Sequence, residues 1–174
     1  ITAPKTVLIF LQGKDPLAVL INAKANELFL LLRNFDGNKL NIQEDLKNYF
    51  INHHLGNRLF FSIQNSAHII YQSVQKSGKA FNDISIVDYG AGLGTFYLLA
   101  GLLNFKRVVY NDYLPEWKNT AASICDALNI NITGYVTGDI DAILNYARTE
   151  KFKFDIVASR NVIEHIYDLP FFFR

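Results

Sequence analysis

An acid and three alternating glycines, Asp88-Tyr89-Gly90-Ala91-Gly92-Leu93-Gly94, follow directly on the apolar run Ile84-Ser85-Ile86-Val87. Glycine adopts backbone angles closed to other residues, so such a segment can turn sharply and approach a ligand closely. The pattern is D-x-G-x-G-x-G. The dinucleotide fingerprint G-x-G-x-x-G asks for glycine or alanine at position 95, where this chain has Thr95. Asp112 closes the run Val108-Val109-Tyr110-Asn111, eighteen residues after Gly94, the interval that one helix and one strand need. A carboxylate there can accept two hydrogen bonds from a ribose; standing alone it would read as a turn residue or cap. Asp139 follows Val136-Thr137-Gly138 and can cap a helix. Arg160-Asn161 and Glu164-His165 follow Ile156-Val157-Ala158-Ser159. His165 is the best general-base candidate, because imidazole takes up a proton near neutral pH. The plainer reading is that Glu164 and His165 buttress the loop by hydrogen bonding.

These groups fall at the ends of predicted strands. Strands are expected over 84–88, 107–111, 133–137 and 154–159. Helices are expected over 95–103, 115–129 and roughly 140–149, with 162–167 opening another. Alternation with short connections predicts β-α-β units and a parallel sheet, which binds ligands at the carboxyl ends of its strands. The strands are nearly all apolar, as required when helices cover both faces.

Residues 1–80 read as mostly helical. Asp15-Pro16 is an N-cap followed by proline at the first helical position, and Leu17, Leu20, Ile21, Leu28, Leu31 and Leu32 recur at helical spacing. Asn41 with Glu44 reads as a capping box, with Ile42, Leu46 and Phe50 on the buried face of a second helix. Leu59, Ile63, Ala67, Ile70 and Val74 stripe a third. The expected division is a helical extension or lid over 1–80 and a ligand-binding domain over 81–174.

The D-x-G-x-G-x-G segment, with acids at the next two strand ends, resembles class I S-adenosylmethionine-dependent methyltransferases. Phe154-Asp155-Ile156-Val157 with Asn161-Val162-Ile163-Glu164-His165-Ile166 is similar to the fourth-strand segment of many small-molecule members. The resemblance covers 84–169, about half the chain. It implies a Rossmann-like α/β fold and S-adenosylmethionine as cofactor. Asp88, Gly90, Ala91, Gly92 and Gly94 would pass under its methionine part, and Asp112 would take the ribose. Tyr113, Gly138, Asp139 and Ile140 would meet the adenine, while Arg160 and Asn161 would lie beneath the sulfonium. Glu164 and His165 would face the methyl acceptor. Asn57-Arg58-Leu59-Phe60-Phe61 is a positional candidate for the acceptor pocket. Full members have seven strands, so about three more are expected after the four found here.

The implied activity is methyl transfer to a small molecule. Two rivals are a catalytically silent binding module and, on a related fold, a nicotinamide-dependent oxidoreductase. The bulk properties narrow the field. Net charge is +1 over 174 residues, which gives no electrostatic case for nucleic acid. Cys125 is the only cysteine, so neither an intrachain disulfide nor a Cys-rich metal site is expected. His53, His54 and His68 lack companions for a metal set and read as solvated or helix-end residues. No apolar run is long enough to span a bilayer and no signal peptide is evident, so a cytoplasmic enzyme is expected. A chain that begins at Ile1 and contains no methionine reads as a fragment, or as one written without modified methionines.

Overall fold

A computed structural model describes residues 7–166 and 169–172. Four strands, β1 (Ser85–Tyr89), β2 (Arg107–Asp112), β3 (Gly134–Thr137) and β4 (Ile156–Ser159), form one parallel sheet in the order β3-β2-β1-β4. This α/β architecture is compatible with a Rossmann-like fold. The chain leaves β1 toward β2 and β3 on one side and returns to place β4 on the other. The strand order reverses between β1 and β4, the position where open parallel sheets form a ligand crevice. Among the described residues, β4 pairs only with β1.

Strand residues point alternately to the two faces. Ile86, Val108 and Tyr110 join the larger core with α1 (Pro16–Arg33), α3 (Leu59–Ser77), α4 (Phe96–Leu102) and α5 (Pro115–Leu128). Val87, Tyr89, Val109 and Val136 face the other way and pack on Ile143 of α6 (Ile140–Thr149). The helical segment before β1 is continuous with the larger core: Ile21, Leu28, Ile63 and Ile70 belong to it.

The Asp15-Pro16 start of α1 is as expected, with the Asp15 carboxylate accepting from the Ala18 amide at 3.0 Å. Its buried stripe is shifted, however. Ala18, Ile21, Ala25, Leu28 and Leu32 are inward, and Leu20 is exposed. On the same helix, Asn22 and Asn26 clamp the extended segment before α1, pairing with the backbone of Leu8, Phe10 and Leu11 at 2.6–2.9 Å. The stripe expected on α3 is buried in full.

Two expectations are corrected. The second helix, α2 (Glu44–His54), starts at Glu44 without a side-chain cap, so Asn41 forms no capping box, and Phe50 is its one buried residue. After β4 the chain makes a 3-10 turn over Ile163–His165 instead of a helix from Val162, and a short α7 (Leu169–Phe172) follows. Asn161 is left-handed at φ 56°, which breaks helical geometry just before that point. Tyr167, the far end of the expected helix, lies outside the described residues.

Candidate functional site

The carboxyl ends of β1, β2 and β4 open into a cleft of about 460 Å³. Asp88 forms its floor at the end of β1 and is almost fully buried. One of its oxygens accepts from the Tyr97 amide in the first turn of α4, at 3.2 Å. Burial pushes the Asp88 carboxyl up to about 7, against the pull of Arg160 and of the Tyr97 amide, with Asp112 adding to the rise.

The glycine loop departs from β1 through two left-handed residues, Gly90 at φ 65° and Gly92 at φ 54°. Its backbone is tied to β2. The Ala91 amide donates to the Asn111 carbonyl at 2.8 Å, and Tyr110 donates its hydroxyl to the Gly92 carbonyl at 2.9 Å. Close approaches to this loop come from within the chain. A side chain at Gly90 would collide with Val162, and one at Gly94 would come within 2.9 Å of the Arg160 guanidinium. Glycine is needed there because the loop after β4 lies against it. A side chain at Gly92 would instead meet the Trp117 ring at an ordinary contact distance of 3.4 Å.

Asp112 supports the loop from the end of β2. One carboxylate oxygen accepts from the Gly92 amide at 2.9 Å and the other from the Leu114 amide at 3.2 Å. Each oxygen retains a lone pair for a second donor. Asn111 bridges to the next strand end, donating to the carbonyls of Val136 and Gly138 at 3.2 and 2.9 Å.

Thr95, the residue that breaks the dinucleotide fingerprint, has a structural partner. It is wholly buried, and its hydroxyl lies 2.9 Å from both the Ser62 and Ser66 hydroxyls of α3. Arg160 joins this cluster, donating to the Ser62 carbonyl and the Ser66 hydroxyl at 3.3 Å. Among the described residues no carboxylate lies within 4 Å of its guanidinium. The cleft therefore holds a positioned cation beside a buried acid.

Of the residues expected at the site, Asp88, Gly90, Ala91, Gly92, Gly94, Asp112, Arg160, Asn161 and His165 line this one cleft. Tyr113, Gly138, Asp139, Ile140 and Glu164 do not line it. Tyr113 is 72% exposed. Asp139 caps α6, accepting from the amides of Asp141 and Ala142 at 3.1 and 3.3 Å. Gly138 stands between, its amide donating to the Asp112 carbonyl at 3.0 Å. Glu164 and His165 are exposed, and only the histidine reaches the cleft.

Six lining residues were not anticipated as site residues: Leu93 and Val162 beside expected ones, Tyr49 and His54 from α2, and Leu114 and Trp117 at the start of α5. His54 is not solvated; burial, with Arg160 and His53 nearby, pushes its imidazole down to about 4. The segment 57–61, expected at the acceptor pocket, is partly packed and partly exposed. Leu59 is buried, Phe60 stacks on Phe10 at 4.9 Å, and Phe61 is exposed. None of the five lines the cleft. Nothing in the sequence singles out Tyr49 or Trp117, because only the fold brings α2 over the sheet ends.

Among the described residues, no helix is long and apolar enough to cross a membrane, and no group of three His, Cys, Asp or Glu side chains is arranged to hold a metal ion. No protein-family model matches this chain, and no curated protein matches it.

Proposed function

We propose that the chain is a methyltransferase that binds S-adenosylmethionine in this cleft and serves a small-molecule acceptor. The observation that carries the reading is that buried Asp88 and the Arg160 guanidinium, with no carboxylate within 4 Å among the described residues, line one cleft at a strand-end glycine loop. An α-amino acid end carries an ammonium and a carboxylate, and these two side chains complement it. Asp112, with free lone pairs at the next strand end, suits the ribose hydroxyls. Arg160 is better matched to the carboxylate than to a position beneath the sulfonium, where two cations would repel.

When bound, the cofactor supplies an electrophilic methyl group on a sulfonium. The protein's part is to orient the reactants and exclude water. Ser62, Ser66 and Thr95 fix Arg160 and the loop, and His165 lines the cleft where it can take up a proton.

The same geometry argues against a nicotinamide dinucleotide. A pyrophosphate would need the free amides at the start of α4. The Asp88 carboxyl already occupies the Tyr97 amide.

Calorimetric titration with S-adenosylhomocysteine, with NAD as control, tests the reading. Saturable binding of the homocysteine compound is expected, weakened at least tenfold in Asp112→Ala and less in Asp112→Asn, which keeps one acceptor. NAD is expected not to saturate. No binding of S-adenosylhomocysteine by folded protein would overturn the proposal. Binding without methyl transfer to any acceptor would favour a silent binding module.

A further inference from the structure

The strand ends and glycine loop leave two cleft residues without a role, Tyr49 and His54 of α2. Tyr49 stands edge-on to Trp117, with ring centroids 5.1 Å apart at 72°, and is tilted against His54 at 5.7 Å. Both imidazole nitrogens of His54 are shielded from water, and neither has a hydrogen-bond partner among the described residues. An unmet buried donor or acceptor bears the full desolvation cost of the group. Tyr97, Thr137 and Ser159 also carry a buried hydroxyl without a partner, but none of them lines the cleft. Among the described residues, His54 alone combines two unmet atoms with a position on the cleft wall. Its helix can yield to a ligand: of eleven residues in α2, only Phe50 is buried.

We propose that Tyr49, His54 and Trp117 form the methyl-acceptor subsite and that it takes a small phenol. The proposal rests on the methyltransferase reading for the other half of the cleft. The three rings supply a wall suited to a flat aromatic ligand, since aromatic pairs favour edge-on and offset contacts. The polar part of the ligand follows from the imidazole. Held neutral, it offers one donor and one acceptor, and a hydroxyl can meet either nitrogen. An ammonium offers donors only and would be repelled by the nearby Arg160; a carboxylate offers acceptors only. The nitrogens are shielded on the cleft wall, so binding requires a turn of the ring or a small displacement of α2.

The test uses the full chain, labelled with nitrogen-15 and saturated with S-adenosylhomocysteine. Catechol and 4-methylphenol are added, and the His54 imidazole signals are identified by their loss in His54→Leu. The proposal expects these signals to shift on titration. Catechol binding should saturate and weaken at least tenfold in His54→Leu, while S-adenosylhomocysteine affinity changes less than twofold. His54→Gln, which retains a donor and an acceptor, should recover most of the catechol affinity. The leucine variant should melt at or above the wild-type temperature, because it removes two unmet polar atoms. A histidine that serves only the fold would lower the melting temperature and leave catechol binding unchanged. Unmoved His54 signals with both phenols, or equal catechol binding by wild type and His54→Leu, would overturn the subsite. If S-adenosylhomocysteine itself fails to bind, the cofactor reading falls separately, and the same phenol titrations without it decide the subsite.

Discussion

Asp88→Asn should change how stability depends on pH. The wild-type carboxyl is raised from 3.8 to about 7 in the folded state, first by burial. Between those values the folded state holds a proton that the unfolded chain has lost. Stability from this group is therefore complete below pH 3.8 and falls as pH rises toward 7. A shift of about three units corresponds to about 4 kcal/mol, with a slope of about 1.4 kcal/mol per pH unit. The asparagine keeps an acceptor for the Tyr97 amide and does not ionise. It should match wild type near pH 4 and be more stable by up to about 4 kcal/mol at pH 7.5.

Wild type alone would conceal this. The His54 imidazole is lowered from 6.5 to about 4, so its contribution is lost as pH falls through that window, in the opposite sense. That offset is worth about 3 kcal/mol at most, comparable with the Asp88 effect. The informative quantity is the difference between the two proteins, from urea unfolding at pH 4.0, 5.5, 6.5 and 7.5. A difference that stays flat across the series would refute the argument and mean that Asp88 is ionised and well solvated in the fold.

Gly90→Ala combines a left-handed φ with a collision at Val162, and is expected to cost about 2–4 kcal/mol in urea unfolding; Val162→Ala in the same chain should recover the steric part. Thr95→Ala removes the hydroxyl that joins α3 to the glycine loop and should destabilise by about 1–3 kcal/mol, with Thr95→Ser recovering most of it. Arg160→Ala is expected to weaken S-adenosylhomocysteine at least tenfold in calorimetry and to leave 5′-methylthioadenosine, which lacks the amino acid end, within twofold; equal losses for both would mean that Arg160 acts only by supporting the loop. Asp155 accepts from the Ser85 amide and from Lys79 at 2.8 and 2.6 Å, and its carboxyl is held below the usual range, chiefly by Lys79. Its stabilising contribution should therefore be present above pH 4 and lost as the solution is acidified, and Asp155→Asn should flatten that acid limb.

Local pattern was enough to determine the alternation of strands and helices, the buried stripe of α3 and the placing of acids at three strand ends. Apolar periodicity and glycine spacing are read over a few residues, and the backbone obeys them locally. A single strand-end site was legible too, because parallel β-α-β units bring successive carboxyl ends to one edge. The tertiary structure decided what those residues touch. Thr95 reads as a missing glycine until α3, some thirty positions earlier, supplies Ser62 and Ser66. Gly90 and Gly94 read as a ligand cradle, and the structure adds that Val162 and Arg160, from the loop after the adjacent strand β4, lie against them. The phase of α1 turned on Ala18 and Ala25, which are buried but carry little hydrophobic signal. His54 looked like an ordinary helix-end residue, and only the packing of α2 across the cleft hides its nitrogens and leaves them unmet. Burial and partners depend on contacts between distant segments, and no local window of the sequence contains them.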